Sequence, residues 1–234
     1  MTLEKESNFY LKKKRTLLRT FDAALTIVQK VLIECFGESK FNEISITTRN
    51  EFETVVPQIP YVGGNDNHLT DDLINAAILL PLLRFFEKEG LKFKEIGKLT
   101  YELFEAFYKV IPPADDIFTE EFLVKEKEHA KNSKIRKYPG DWVLDFVESD
   151  GKTFNFGIDY SECGVYKFYK NQGAEHLMPI ICIADYAKAQ AYGYGLKRTQ
   201  TIGNGAPICD FRYTKDGFTP RAWPADKLKE FRRK

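Results

Sequence analysis

Trp142-Val143-Leu144-Asp145-Phe146-Val147-Glu148-Ser149-Asp150-Gly151-Lys152-Thr153-Phe154-Asn155-Phe156-Gly157-Ile158 is the stretch in which the hydrophobic period of this chain changes. Two short runs rich in aromatic and β-branched residues, Trp142 to Val147 and Thr153 to Ile158, flank Ser149-Asp150-Gly151-Lys152. An Asp-Gly pair between such runs suits the positive φ angles of a tight turn, so the stretch predicts a β-hairpin.

Upstream of the hairpin the apolar residues recur at helical spacing. Leu17, Leu18, Phe21, Ala24, Leu25, Val28, Leu32 and Phe36 form a stripe that stops at Gly37, a residue suited to a left-handed cap. A weaker stripe through Phe41, Ile44, Phe52 and Val55 closes at Pro57 and Pro60, and Tyr61 to Asn67 reads as a loop around Gly63-Gly64. Thr70 is a suitable cap for a helix through Leu73, Ala76, Ala77, Leu80, Leu83 and Phe86, with Asp71 and Asp72 facing the positive end of its dipole. Phe93 to Val110 predicts another amphipathic helix, and Thr119-Glu120-Glu121 starts a more polar one.

Downstream, helices are predicted over Cys163–Asn171 and Pro179 to about Tyr192. Strands follow at Lys197–Ile202 and Ile208–Tyr213, around Gly203-Asn204-Gly205. The expected fold is α+β: a helical N-terminal half packed on a C-terminal antiparallel sheet of β-β-α-α-β-β order. At 234 residues this is read as a single domain, with a helical lobe over about 8–138, a mixed lobe over about 139–215 and a basic, frayed tail over 216–234.

Composition narrows the partners. Lys plus Arg number 35 against 34 Asp plus Glu, so no net field attracts nucleic acid or an acidic membrane surface, and neither partner is expected. The basic cluster Lys12-Lys13-Lys14-Arg15 is not followed by an apolar run that could act as a signal peptide or span a bilayer, so the expected location is cytoplasmic. Four widely spaced cysteines do not make a disulfide framework and are read as reduced thiols. No phosphate-binding glycine loop, dinucleotide fingerprint, Cys-x-x-Cys pair or His-Glu-x-x-His helix occurs, so no cofactor and no metal is expected.

The chemistry-bearing residues cluster in the last third. The corner Asp159-Tyr160-Ser161-Glu162-Cys163 would set Cys163 in the first turn of a helix with Ser161 as cap, where unpaired N–H groups favour a thiolate. Cys182 and Asp185 stand three apart on a predicted helix, so both leave the same face. On the last strand, Cys209 and Phe211 would face opposite to Asp210 and Arg212, so only one of those sets can serve a given site. Each feature also has a plainer reading, since a free cysteine is more often packing than chemistry and a charged face is usually just solvated.

These segments resemble a known family. Asp159 to Cys163, Cys182-Ile183-Ala184-Asp185-Tyr186, and above all Arg198-Thr199-Gln200-Thr201-Ile202-Gly203-Asn204-Gly205 with Cys209-Asp210-Phe211-Arg212 look like the signature of L-2-amino-thiazoline-4-carboxylic acid hydrolases. Ile59-Pro60-Tyr61-Val62-Gly63-Gly64 through Asn67 resembles a loop of the same family. The resemblance implies hydrolysis of a cyclic, amidine-like amino acid to an N-carbamoyl-cysteine-type product, by attack of water at the carbon between sulfur and nitrogen. Cys163, Cys182 and Asp185 are then the catalytic candidates. Cys163 is either nucleophile or proton donor to the departing sulfur, Cys182 the rival nucleophile, and Asp185 the base or the group that orients water. Arg198 or Arg212 would meet the substrate carboxylate. Thr201, Cys209, Asp210, Gly63, Gly64 and Asn67 complete the candidate binding set. Two other readings stay open: a small-ligand-binding or sensor protein that turns nothing over, and a cysteine-rich metal module of the vinyl reductase type built from Cys163, Cys182, Cys209 and perhaps His176. The expected partner is a small amino-acid-like molecule, and assembly into a homo-oligomer is left open.

Overall fold

A computed structural model describes residues 9–225 and 228; the far end of the expected basic tail, residues 226, 227 and 229–234, lies outside the described residues. The chain divides into two compact units, 1–110 and 111–234.

The first unit is helical: α1 Phe9–Lys12, α2 Lys14–Phe36, α3 Glu38–Val55, α4 Leu69–Lys88 and α5 Phe93–Val110. The α2 stripe buries Leu17, Phe21, Leu25, Val28 and Leu32, and Phe21 stacks on Phe52 of α3 with ring centroids 5.1 Å apart. Gly37, at φ 82°, takes the left-handed bend that lets α3 start at once. Most of α4 is buried, including Pro81 within the helix, which suits a segment with neighbours on several sides. Its expected cap is displaced. Thr70 lies in the first turn and donates to Gly64 O at 2.8 Å, while the Leu69 N–H donates to Asn67 Oδ1 at 3.0 Å.

The second unit carries a four-stranded antiparallel sheet of order β1-β2-β4-β3, built from β1 Val143–Glu148, β2 Phe156–Glu162, β3 Gly195–Lys197 and β4 Cys209–Thr214. The helices of this unit are α6 Glu120–Ser133, α7 Gly164–Asn171, α8 Met178–Ile181 and α9 Ala184–Tyr192. Thr119 caps α6 as expected, accepting from the Phe122 N–H at 3.3 Å. Helix α6 packs on β1, where Ser133 Oγ accepts the Leu144 N–H at 3.1 Å and donates to Leu144 O at 3.3 Å.

The hairpin turn is longer than the sequence predicts. Asp150 accepts the Thr153 hydroxyl, which does most to hold its carboxyl well below the usual range, and gathers the N–H groups of Thr153, Lys152 and Phe154, which add to the effect. Those amides serve the turn instead of a ladder, so β2 begins at Phe156 and not at Thr153.

The strand register sorts the side chains into two faces. Leu144, Tyr160 and Cys209 are cross-strand neighbours on one face, as are Phe146, Ile158 and Phe211, then Phe156 and Tyr213. Phe156 stacks on Phe146 and Tyr213, with centroids 5.9 and 4.7 Å apart, and meets Phe118 and Phe122. The opposite face carries Asp145, Asp159, Asp210 and Arg212. Among the described residues, no helix is long and apolar enough to cross a membrane.

Candidate active site

Cys163 stands at the junction of β2 and α7. Its backbone is extended, and it caps α7 itself: the Tyr166 N–H donates to Cys163 Sγ at 3.4 Å. Ser161, the expected cap, is still in β2 because pairing with β1 continues as far as Glu162 opposite Val143; its hydroxyl donates to Val143 O at 3.3 Å. Burial pushes the Cys163 thiol up, and the nearby Asp185 carboxylate adds to this. The amide N–H groups of Tyr166 and Val165 and the indole of Trp142 oppose the rise. The thiol is therefore neutral near pH 7.

Cys182 and Asp185 were expected on one unbroken helix. The helix is interrupted instead. Cys182 closes α8, with its N–H donating to Met178 O at 2.9 Å, and α9 begins at Ala184, with the Tyr186 N–H turning to Ile183 O at 3.2 Å. The residues through the break keep helical backbone angles, so the three-residue spacing still sends both side chains to one side.

The Cys182 carbonyl accepts Arg198 Nη2 at 2.6 Å, and Arg198 Nη1 lies 2.8 Å from Asp185 Oδ2. The Arg198 side chain is only 1 % exposed, whereas that of Asp185 is 40 % exposed. The guanidinium also sits 5.3 Å from the centre of the Tyr186 ring and 4.7 Å from that of Phe211.

The loop from β3 to β4 closes the neighbourhood. Expected as strand to Ile202, β3 ends at Lys197, and a 3-10 turn forms over Ile202–Asn204. Thr201, fully buried, caps that turn by accepting from Asn204 N at 3.2 Å and Asn204 Nδ2 at 2.9 Å. The Ile202 N–H donates to Cys209 Sγ at 3.1 Å. Gly203 lies so close to Cys182 that an added Cβ would stand 2.7 Å from its Sγ. Burial drives the Cys182 thiol well above its ordinary range, with Arg198 pulling against it, and pushes Cys209 up to about 12. The ionisation of Cys182 is opposed by Cys209, Cys163 and Asp185, and that of Cys209 by Cys163 and Asp185. Arg198 thus touches Asp185 and Cys182, and the turn at Ile202-Gly203 touches both Cys182 and Cys209.

Asp210 and Arg212 face the other way. Asp210 accepts the N–H groups of Thr199 at 2.8 Å and Gln200 at 2.9 Å, and Arg212 Nη1 lies 2.6 Å from Asp159 Oδ1. Gly63, Gly64 and Asn67 belong to the first unit. Gly63 and Gly64 have φ of 118° and 61°, and Asn67 Nδ2 donates to Val62 O at 2.6 Å. An added Cβ at Gly64 would meet the Phe9 ring of α1 at 2.8 Å and the Tyr61 ring of its own loop at 3.1 Å, so this glycine is required by the packing of the loop on α1.

Trp142, Tyr186, Gly203 and Tyr213 border the candidate site, although none of them has a role in the reading of the sequence alone; Tyr186 and Gly203 lie within the family-like segments. Tyr213 is driven well above its ordinary pKa chiefly by burial, within reach of Tyr160, Tyr194 and Asp185. Tyr186 adjoins Asp185, and Gly203 opens the Gly-Asn-Gly turn, so adjacency was the available signal. Among the described residues, Cys163, Cys182, Cys209 and His176 do not supply three ligand atoms within 4.8 Å of one another, so the cysteine-rich metal module lacks its geometry.

A family model described as L-2-amino-thiazoline-4-carboxylic acid hydrolase matches residues 74–213. The chain belongs to this hydrolase family. The matched span contains every candidate of the second-unit site, from Cys163 to Arg212, and begins after the Gly63-Gly64 loop. No curated protein and no solved structure matches the chain.

Proposed function

We propose that this member of the L-2-amino-thiazoline-4-carboxylic acid hydrolase family opens the ring of a small cyclic amidine-like amino acid to an N-carbamoyl-cysteine-type product. The observation that supports the proposal is the meeting of Cys182, Asp185, Arg198 and Cys209, distant along the chain, through the Arg198 fork and the turn at Ile202-Gly203, with Cys163 within electrostatic reach of Asp185.

In the proposed step the oxygen of water bonds to the carbon between sulfur and nitrogen, and the carbon–sulfur bond breaks. Asp185 takes one proton from the water. Its Oδ2 is held by Arg198 while the side chain stays 40 % exposed, which suits a base that must meet both a ligand and solvent. Cys163 gives its thiol proton to the departing sulfur, and the proton on Asp185 returns to Cys163. The second proton of the water ends on the ring nitrogen, so the step balances without an oxidant or reductant. The upward push on the Cys163 thiol supports a donor in place of a standing thiolate. Cys182 is the weaker candidate, since Gly203 packs against its sulfur.

Cys163→Ala, Cys182→Ala and Asp185→Asn, each checked for folding, are tested for thiol release from 2-amino-thiazoline-4-carboxylate. A loss of about 100-fold or more in kcat is expected for Cys163→Ala and Asp185→Asn, and a smaller loss for Cys182→Ala. Wild-type rates in all three variants would remove the assignment.

A further inference from the structure

We infer that Arg198 is a positioning residue that braces the break between α8 and α9 and aims Asp185, and is not the cation that receives a substrate carboxylate. The catalytic half of this inference rests on the proposed ring opening, whereas the brace itself rests on geometry alone.

Three features of the arginine lead here. Its side chain is 1 % exposed, so a carboxylate could reach it only by displacing packed groups. Its fork already spans two acceptors, Asp185 Oδ2 at 2.8 Å and Cys182 O at 2.6 Å. Its faces lie near the Tyr186 and Phe211 rings, on α9 and β4.

The second acceptor is the informative one. In a continuous helix the Cys182 carbonyl would take the N–H of Tyr186; that N–H goes to Ile183 O instead, and a guanidinium nitrogen takes its place at Cys182. One planar group thus satisfies the carbonyl exposed by the break and fixes the carboxylate one turn further on. Asp185 Oδ2 is held and the rest of the carboxylate is left to act. Lysine cannot reproduce this, because it offers a point charge and no fork.

The test is Arg198→Lys, read by steady-state kinetics and by amide hydrogen exchange over residues 182–187. Positioning predicts a fall in kcat of about 10-fold or more with KM within about 3-fold, since an interaction that orients a catalytic group is lost and not one that binds substrate. It also predicts exchange at these amides faster by about 10-fold or more. A rise in KM of about 10-fold or more with kcat preserved would overturn it, as would unchanged exchange. Asp185→Asn supplies a second arm should the lysine variant fail to fold. If Arg198 were the substrate's anchor, releasing it from the carboxylate would lower KM; an unchanged KM with faster exchange supports the brace. If the wild-type protein opens no ring, the exchange measurements still decide the brace, so failure of the activity and failure of the inference are told apart.

Discussion

Two arginine–aspartate pairs sit on opposite faces of the same sheet. Arg198–Asp185 lies with the apolar face that carries Cys209, Phe211 and Tyr213, and the guanidinium end is 1 % exposed. Arg212–Asp159 lies on the polar face, with both side chains 27 % exposed. The residue types are the same and the N–O distances similar, 2.8 and 2.6 Å. The difference lies in what else each guanidinium holds. Arg198 bridges a helix break and two rings, whereas Arg212 donates to its own neighbour's carbonyl, Phe211 O, and passes over Phe154. The depth of the cation, more than the existence of an ion pair, marks which pair organises the site.

The largest effect that would sharpen this contrast is on stability. Arg198→Met should cost about 3 kcal/mol, the low end for breaking a buried pair because the half-exposed Asp185 can rehydrate. Denaturant unfolding of the variant checks it, and a shift below about 1 kcal/mol would put the two pairs on equal terms.

Alkaline pH probes the same face through its thiols. Cys209 is pushed from an ordinary 9.0 up to about 12, so the unfolded chain ionises first and folding stability falls as pH rises between these values. The slope for one such thiol is about 1.4 kcal/mol per pH unit, and Cys182, raised well above 9.0, adds to it. Below pH 9 neither thiol contributes. Denaturant unfolding of Cys209→Ala from pH 8 to 10.5 should show a shallower alkaline fall than wild type; equal slopes would break the link between burial and ionisation.

Gly203→Ala tests how closely the loop is packed on the break. Its backbone is not left-handed, so the cost comes from a Cβ 2.7 Å from Cys182 Sγ and 3.2 Å from Met178 Cβ. Overpacking of this kind costs about 1–3 kcal/mol. Recovery of stability in Gly203→Ala/Cys182→Ala, relative to Gly203→Ala alone, would identify the sulfur as the obstacle. Additive losses in the double variant would place the strain elsewhere.

Much of this was legible in the residues. The hairpin, the Thr119 cap, the helices of the first unit and the opposed faces of Cys209 and Asp210 follow from period and alternation, which are local properties. The break at Cys182 was not legible, because Pro179 to Tyr192 carries no glycine or internal proline to announce it. Its stabilising partner, Arg198, lies 16 residues downstream of Cys182. The early end of β3 was hidden for the same reason. Thr199 and Gln200 look like strand residues, yet their amides go to the Asp210 side chain. Local pattern shows where a backbone can pair, and distant side chains decide whether it does.

The smallest effect belongs to Arg212, and it is the most direct check on the comparison. Arg212→Met removes a partly solvated pair whose Coulomb gain is screened and offset by the hydration regained by Asp159. A change of about 0–1 kcal/mol is expected, diminishing at high salt. Packing tempers this, because Gly157 lies directly beneath the arginine stem: an added Cβ there would stand 2.8 Å from Arg212 Cδ. The stem, which methionine largely retains, therefore matters more than the charge. If the proposed ring opening holds, thiol release should keep wild-type kcat and KM, since Arg212 lies on the face of Asp159 and Asp210, opposite Cys209. A rise in KM for Arg212→Met, at unchanged stability, would move the substrate's carboxylate to the polar face of the sheet and reverse the assignment of the two pairs.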